Sequence, residues 1–290
     1  MDELAALDLV GELISHSGDD CAIVDELLIS TDMLHEQTDF PPGTTFYTKG
    51  WRAVGASLSD IAAMGGSPVA TVAIYGAPTF EKNSLEAFLK GCVDVCEFVG
   101  TEYVGGDLDG HKEITVATTA VGRSVNPVLR SGAAPGDALC VTGEFGQSAA
   151  AVRLFSSDVE KANELFQFEP RIAAGKALAP FASSMMDSSD GLARSCHQLS
   201  DASQCGFSVR YDSIPVVPMV SSIATDTTDE QELSLYFGED FELVCTIPEN
   251  KVAAAQEACP VPLTRIGTTT SDVGSITLDN EPFPNRGYAH

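Results

Sequence analysis

Two short apolar runs around a pair of acidic residues constrain the start of the fold most strongly. Residues 17–34 read SGDDCAIVDELLISTDML, in which an Asp-Glu pair separates CAIV from LLIS. Short apolar runs with β-branched residues on both sides of a polar tip predict a β-hairpin. Any symmetric loop around this tip leads to one register, in which Asp20 faces Thr31 and Asp19 faces Asp32.

This register would bring two carboxylates close together. Opposed side chains of an antiparallel pair lie about 4.5–5.5 Å apart at Cβ, and like charges at that distance are destabilising. A bound cation would offset the repulsion between Asp19 and Asp32, and Mg²⁺ prefers oxygen ligands. The alternative is that an acidic protein carries acids at strand ends by chance. The hairpin alone leaves both interpretations open.

Composition excludes several classes of protein. The chain has 290 residues and a net charge of −26, from 42 acidic residues against 16 lysines and arginines. Such a surface repels nucleic acid and anionic membranes. No apolar run approaches the ~18 residues of a membrane span, and the N-terminal stretch has no basic region typical of a signal peptide. We expect a cytoplasmic protein without nucleic-acid or membrane partners, from a cell whose high internal salt screens the charge.

The cysteines are predicted to be structural. The chain contains 8 of them, and no two are spaced as Cys-x-x-Cys. We expect reduced thiols in the core and no zinc site.

Apolar periodicity predicts alternating helices and strands. Helices are expected over residues 51–66 and 84–99, and the strands over residues 69–75, 102–104, 113–121 and 138–142. This alternation predicts an α/β or α+β fold. A polar stretch with Pro and Gly, RSVNPVLRSGAAPG, separates two halves. We therefore expect two domains, residues 1–125 and 126–290.

One face of the helix predicted over residues 51–66 carries a lone carboxylate. This face consists of small residues except for Asp60. An Asp among alanines fits a face that abuts a cation or another polar partner, although an ordinary surface Asp remains the alternative. The later stretch DSSDGL is expected to start a second helix, with Ser189 as its N-cap and Asp190 in its first turn. Acids are common there, so Asp190 has a simple capping interpretation.

Carboxylates recur at predicted strand ends and glycine turns, the latter including GGDLDG at residues 105–110. The sequence has neither a P-loop motif nor the H-R-D and D-F-G motifs of protein kinases. Phosphoryl transfer needs positioning and charge neutralisation more than covalent help. Mg²⁺ ions held by aspartates can supply both. The candidates are Asp19, Asp20, Asp32, Asp60, Asp107, Asp187 and Asp190.

Several segments together resemble the thiamine-monophosphate kinase family, in its archaeal type, within the ATP-binding superfamily of aminoimidazole ribonucleotide synthetase. The matching stretches are SGDDCAIV, LLISTDML, LSDIAAMGGSP, YVGGD, LRSGAAPGD, DSSDGL and GEDFEL, in this order. The resemblance implies ATP-dependent phosphorylation of thiamine monophosphate to thiamine diphosphate, with several Mg²⁺ ions. It also implies an N-terminal mixed-sheet domain that forms a homodimer and a C-terminal α/β sandwich.

The resemblance implies roles for individual residues. The implied metal ligands are Asp20, Ser30, Thr31, Asp32, Asp60, Asp107, Asp187 and Asp190. ATP is expected to contact Gly106, Asp107, Arg130 and Ser189, and the thiamine substrate to contact Asp39, Glu239 and Asn285.

Two of these positions depart from the usual family pattern. Asp39 stands where bacterial members usually carry His, and Asn285 stands where an aromatic residue is common. Stacking on the thiamine ring is then expected from Phe283 or Tyr288.

The reaction is expected to need neither a general base nor a covalent intermediate. The acceptor is a phosphate monoester whose second pKa is about 6, so an oxyanion is ready at neutral pH. Direct in-line transfer is therefore expected. The alternatives are a related enzyme of the superfamily that acts on another phosphomonoester and an acidic domain that only binds metal.

Overall fold

The computed structural model describes residues 17–288, together with residues 6, 9–11, 13 and 14 of the N-terminal segment. The first half forms a mixed five-stranded sheet in the order β1-β2-β5-β3-β4, in which β3 and β4 are parallel. Its strands are β1 (Ala22–Val24), β2 (Leu27–His35), β3 (Ser67–Ala77), β4 (Tyr103–Gly110) and β5 (Thr115–Arg123).

Helices cover one face of this sheet. They are α1 (Glu36–Asp39), α2 (Phe46–Ala63) and α3 (Lys82–Val99). Helices α2 and α3 approach closely because glycines lie at their contact: a Cβ added to Gly91 would lie 2.0 Å from the carbonyl oxygen of Tyr47. The opposite face of the sheet exposes Val24, Met33, Val72 and Ile74.

The second half forms a seven-stranded sheet in the order β12-β11-β8-β10-β6-β9-β7. The strands are β6 (Ala138–Thr142), β7 (Ser184–Asp187), β8 (Gly206–Val209), β9 (Leu243–Ile247), β10 (Leu263–Thr270), β11 (Ile276–Leu278) and β12 (Glu281–Pro282). The helices are α4 (Gln147–Leu154), α5 (Val159–Phe166), α6 (Ile172–Leu178), α7 (Leu192–Ser203), α8 (Pro218–Ile223), α9 (Thr227–Gln231) and α10 (Val252–Ala258), with a π-helical turn at Glu232–Tyr236.

Both faces of the second sheet are covered. Cys140 and Cys245 pack with α6 and α10 in a core that continues into the first half, whereas Val141 and Val244 pack with α7 on the other side. The expected fold, a mixed-sheet first half and a C-terminal α/β sandwich, is confirmed. All eight cysteines are free, and seven are buried. Among the described residues, no helix is long and apolar enough to cross a bilayer.

The hairpin register is confirmed, but the hairpin is shorter than predicted. Ala22 pairs with Ile29 and Val24 with Leu27, and pairing does not extend back to the acids. The expected oppositions of Asp20 with Thr31 and of Asp19 with Asp32 are therefore wrong. Both acids are turned toward Arg130 instead, which explains why the strand begins only after them.

Two further local predictions are wrong. Residues 105–110 form strand β4 and not a turn, because glycine at position 106 (φ +154°) lets β4 lie against β3 where a Cβ would be 1.7 Å from the oxygen of Ala73. Ser189 is not an N-cap, and Asp190 precedes helix α7, which begins at Leu192. The backbone of Ser189 instead accepts a hydrogen bond from the N–H of Glu239 at 2.6 Å.

Candidate active site

Three carboxylates from distant parts of the chain converge at one point. Oxygen atoms of Asp20, Asp60 and Asp187 all lie within 4.8 Å of one another. Asp20 precedes β1, Asp60 lies in the last turn of α2, and Asp187 is the last residue of β7. Both halves of the molecule therefore contribute to this carboxylate centre, as we call these three residues.

Serines of the same region hold the acids in place. Ser59 donates a hydrogen bond to Asp187 at 2.5 Å, and Ser57 donates one to Asp32 at 2.7 Å. The hydroxyl of Ser30 donates to Asp60. Strand β2 places Ser30 and Asp32 on the same side, because side chains two residues apart face the same side of a sheet.

Burial and mutual repulsion make the carboxylate centre a poor place for negative charge. Burial, followed by the charges of Asp32, Asp187 and Asp20, raises the pKa of Asp60 well above its usual range. Burial and the charge of Asp20 raise the pKa of Asp187 to about 8, although the hydrogen bond from Ser59 opposes this. Burial likewise raises the pKa of Asp32. The centre is therefore incomplete without positive charge.

Arg130 supplies part of that charge. Its guanidinium lies 2.9 Å from Asp20, and its backbone N–H donates to Asp19 at 2.7 Å. Burial disfavours the charged form of Arg130, but the charges of Asp20, Asp187 and Asp60 raise its pKa above the ordinary value. One cation cannot neutralise all three acids once they are ionised, so ionisation of Asp60 and Asp187 needs further positive charge.

A second polar group lies near the C-terminal tail. The hydroxyl of Tyr288 donates a hydrogen bond to the carboxylate of Asp39 at 3.4 Å. The backbone N–H of Tyr288 donates one to the backbone oxygen of Asp190 at 3.0 Å. Burial and the charges of Asp39, Glu239 and Asp190 raise the pKa of Tyr288 to about 12. Three acids predicted to contact substrate or metal thus surround one tyrosine.

Asn285 and Tyr288 line a cavity of about 800 Å³. Helices α4 and α7, the π-helical turn and the C-terminal tail enclose it, and Tyr236 and Phe237 are among its aromatic walls. Phe283 is only 2% exposed and packs in the core, so its ring is not available to a ligand. Of the two aromatic residues expected to stack on the thiamine ring, only Tyr288 faces this cavity.

Three predicted residues lie apart from the carboxylate centre. Asp107 and Gly106 are on β4, three strands from β2, which corresponds to about 14 Å between these strands at the usual spacing. Asp107 pairs with exposed Ile74, on the open face of the sheet. The side chain of Thr31 also points away from Asp32 and donates to the oxygen of Thr118 at 2.8 Å.

Sequence reasoning missed two buried arginines. Arg52 on α2 is 2% exposed; it forms an ion pair with Glu239 at 3.2 Å and stacks on Phe166 with its guanidinium 3.6 Å from the ring centre. Arg194 on α7 is 9% exposed and lines the cavity. A charged residue in the apolar stretch WRAVGASL was a signal for Arg52, but nothing in the sequence marked Arg194.

Comparison with known proteins places this geometry in a family. The domain families described as AIR synthase related protein match residues 18–124 (N-terminal domain) and residues 134–279 (C-terminal domain). A thiamine-monophosphate kinase of Halobacterium salinarum is 52% identical over 100% of both chains. The chain belongs to the thiamine-monophosphate kinase family. A second relative of that name, from Methanospirillum hungatei, is 39% identical over 94% of this chain and 92% of its own.

Solved structures of the family have the same fold. A structure described as AaThiL complexed with AMPPCP and TMP superposes with a TM-score of 0.90 at 26% identity, covering 100% of this chain and 97% of that chain. The thiamine-monophosphate kinase of Stenotrophomonas maltophilia has a TM-score of 0.82 at 26% identity, covering 96% of both chains. The hydrogenase maturation protein HypE of E. coli, with a TM-score of 0.73 at 20% identity over 96% of this chain and 88% of its own, shares the fold alone.

Proposed function

We propose that this member of the thiamine-monophosphate kinase family transfers the γ-phosphoryl group of ATP to thiamine monophosphate and produces thiamine diphosphate. The observation that carries the proposal is the convergence of Asp20, Asp60 and Asp187 from both halves of the chain. The family's relatives carry the corresponding name, and a related structure was obtained with AMPPCP and TMP. The kinase is proposed to act in the cytoplasm.

The donor set of the carboxylate centre fits Mg²⁺. Mg²⁺ binds hard oxygen ligands, often from only one or two carboxylates together with substrate phosphates. The raised pKa values of Asp60 and Asp187 indicate that positive charge is missing there. We propose that Asp20, Asp60 and Asp187 hold Mg²⁺, with Ser30 and Asp32 beside them. Asp190, and Thr31 and Asp107, which lie apart from the centre, are proposed as ligands of further ions. When bound, the ions neutralise phosphate charge and orient the two substrates.

The chain's own residues support direct transfer. Among the described histidines, the side chain of His197 hydrogen-bonds to Phe283, that of His35 to Thr115, and that of His111 to Thr115 and the oxygen of Glu113; none bonds to the carboxylate centre. A phosphate monoester needs no base at neutral pH, because its second pKa is about 6. We propose that the aspartates act as ligands and not as nucleophiles, so transfer is in line between the two phosphates.

The acceptor is proposed to lie between the carboxylate centre and the cavity. Thiamine carries a positive charge on its thiazolium ring, which suits the acids Asp39 and Glu239 near Tyr288. Asn285 and Tyr288 would contact the ring system from the C-terminal tail. The ATP side is proposed to involve Gly106, Asp107, Arg130 and Ser189.

A homodimer is proposed through the open face of the first sheet. This face exposes Met33, Val72 and Ile74, which are 56%, 38% and 52% exposed. Contiguous apolar surface of this kind marks protein–protein contacts. Asp107 lies on the same face, so the proposed contact would bring it close to the partner protomer. The proposed domain division remains residues 1–125 and 126–290.

The first test is release of ADP measured with and without thiamine monophosphate, in the presence of ATP and Mg²⁺. We expect ADP release that depends on thiamine monophosphate and an equal amount of thiamine diphosphate. ADP release that is indifferent to thiamine monophosphate but responds to another phosphomonoester would favour a related superfamily activity. No ATP turnover with any acceptor would leave only metal binding.

Direct transfer has its own test. The enzyme is incubated with γ-labelled ATP and Mg²⁺ but no acceptor, then quenched and examined for label on the protein. We expect none. A stoichiometric phosphoenzyme that passes its label to thiamine monophosphate at the turnover rate would contradict direct transfer.

A further inference from the structure

Arg194 is a buried cation for which residues 17–288 supply no ion-pair partner. The residue is 9% exposed, and its Nε atom is inaccessible to solvent and has no hydrogen-bond acceptor. Within the described part of the chain, no carboxylate lies within ion-pair distance of its guanidinium. A charge buried without a partner is costly, because neither water nor an opposite charge replaces its hydration.

The other enclosed arginines of this protein are paired. Arg52 contacts Glu239, Arg130 contacts Asp20, and Arg171 contacts Glu242 at 2.5 Å. The sequence contains 42 acidic residues against 16 lysines and arginines, so a carboxylate partner is easily found for a cation. No described acidic residue takes this place at Arg194, which suits a position for an anion that comes from outside the chain.

Arg194 lies between the cavity and Asp190, one of the proposed metal ligands. Its side chain lines the cavity of about 800 Å³ together with Asn285 and Tyr288. Arg194 lies four residues after Asp190, and Gly287 of the C-terminal tail packs against both residues. A Cβ added to Gly287 would lie 2.3 Å from the backbone oxygen of Asp190 and 3.4 Å from Nε of Arg194. A ligand in the cavity near the tail therefore lies close to Arg194.

The two other arginines of the cavity are already engaged. Arg153 forms an ion pair with Asp229, and Arg286 forms a two-pronged ion pair with Glu232 at 2.7 and 2.8 Å. Their charge is neutralised locally, whereas no described carboxylate neutralises that of Arg194. Arg194 is therefore the cavity arginine best placed to attract an anion.

We propose that Arg194 binds a phosphate group of a substrate in this cavity. The planar guanidinium matches phosphate oxygens with two parallel hydrogen bonds. The phosphate monoester of the acceptor and the polyphosphate of ATP share this chemistry, and the experiment below distinguishes them. The proposal rests on the proposed function, and it adds a residue that opposes the repulsion between an acidic site and an anionic substrate.

The test compares Arg194→Met and Arg194→Lys with the wild type by calorimetric titration in the presence of Mg²⁺. The ligands are thiamine monophosphate, thiamine without phosphate, and the non-hydrolysable ATP analogue AMPPCP. We expect Arg194→Met to lower the affinity for thiamine monophosphate about 10- to 100-fold, the range for loss of charge-assisted hydrogen bonds. Thiamine affinity should change by less than about twofold, and Arg194→Lys should recover part of the loss because it keeps the charge.

Arg286→Met is the matched control, because it removes a cavity cation that is already paired. Its ratio of affinities for thiamine monophosphate and thiamine should stay within about twofold of the wild-type ratio. If Arg194→Met loses AMPPCP and not thiamine monophosphate, the bound phosphate belongs to ATP. If Arg194→Met does not fold, Arg194→Lys carries the same comparison.

Two results would overturn the role of Arg194. One is unchanged affinity for both phosphate ligands, and the other is an equal loss for thiamine and thiamine monophosphate. If the wild type phosphorylates thiamine monophosphate, either result contradicts the role of Arg194 and leaves the proposed function standing. If the wild type does not phosphorylate thiamine monophosphate, the proposed function is contradicted instead.

Discussion

Glu242 and the carboxylate centre are both buried acidic sites, but they differ in their electrostatics. Glu242 is 4% exposed and accepts hydrogen bonds from Thr142 at 2.6 Å and from two nitrogens of Arg171 at 2.5 and 2.8 Å. One carboxylate there meets one guanidinium and one hydroxyl, so its charge is compensated within the chain. The carboxylate centre brings three acids to one arginine, so the chain cannot compensate their charge when all three are ionised.

This difference in charge compensation distinguishes acids with a structural role from acids that need a bound cation. A buried carboxylate with a complete set of partners needs no further ligand to balance its charge. Removing one member of such a pair destabilises the fold, because the other member is then a buried charge without compensation. Acids that repel one another destabilise the chain until a cation arrives. Functional sites are where such perturbed groups cluster.

The largest effect is expected from Asp60→Asn. The amide keeps the shape and an acceptor for Ser30 but removes the charge on which we propose Mg²⁺ depends. Turnover should fall by at least about 10²-fold, the cost of losing a positioned electrostatic group. The metal-free protein should be as stable as wild type or more stable, because repulsion in the centre decreases. Steady-state kinetics and thermal unfolding measure both, and a clear loss of stability with normal kinetics would indicate a structural role for Asp60.

Glu242→Gln is expected to lower stability and to leave turnover unchanged, the opposite of Asp60→Asn. The substitution leaves Arg171 without its main charged partner and should lower the free energy of unfolding by about 2 kcal/mol. The kinetic constants of the folded protein should remain close to those of the wild type, since Glu242 is not a proposed ligand. Urea unfolding and kinetics on the same preparation test this. A collapse of turnover in fully folded Glu242→Gln would show that the two acidic groups are not distinct.

The sequence predicts features that depend on residues close together in the chain better than contacts between distant residues. The hairpin register, the strand at residues 138–142 and the second helix are local patterns, and the sequence predicted them. The pairing of Arg52 with Glu239 joins residues 187 positions apart, and no periodicity reports such a contact. The family resemblance named Asp20, Asp60 and Asp187 as ligands, but only the folded chain shows that Asp107 lies on a different face.

A smaller effect is expected from pH. Burial and Asp20 raise the pKa of Asp187 to about 8, above the ~3.9 of an unfolded Asp. The folded state then binds more protons than the unfolded state, so this group's stabilising contribution is lost as pH rises from about 4 to 8. Mg²⁺ should therefore raise the melting temperature of the wild type more at pH 8 than at pH 5.5. An equal increment at both values would show that the acids of the centre are already ionised without metal, or do not hold it.

The most direct measurement is a Mg²⁺ binding isotherm at pH 7.5 for the wild type, Asp60→Asn and Glu242→Gln. If uncompensated acids hold the ion, the wild type and Glu242→Gln should bind Mg²⁺ with the same affinity. Asp60→Asn should bind it at least about tenfold more weakly, a difference of ~1.4 kcal/mol. Equal affinity in all three proteins would contradict the account, because charge at the carboxylate centre would then have no part in holding the metal.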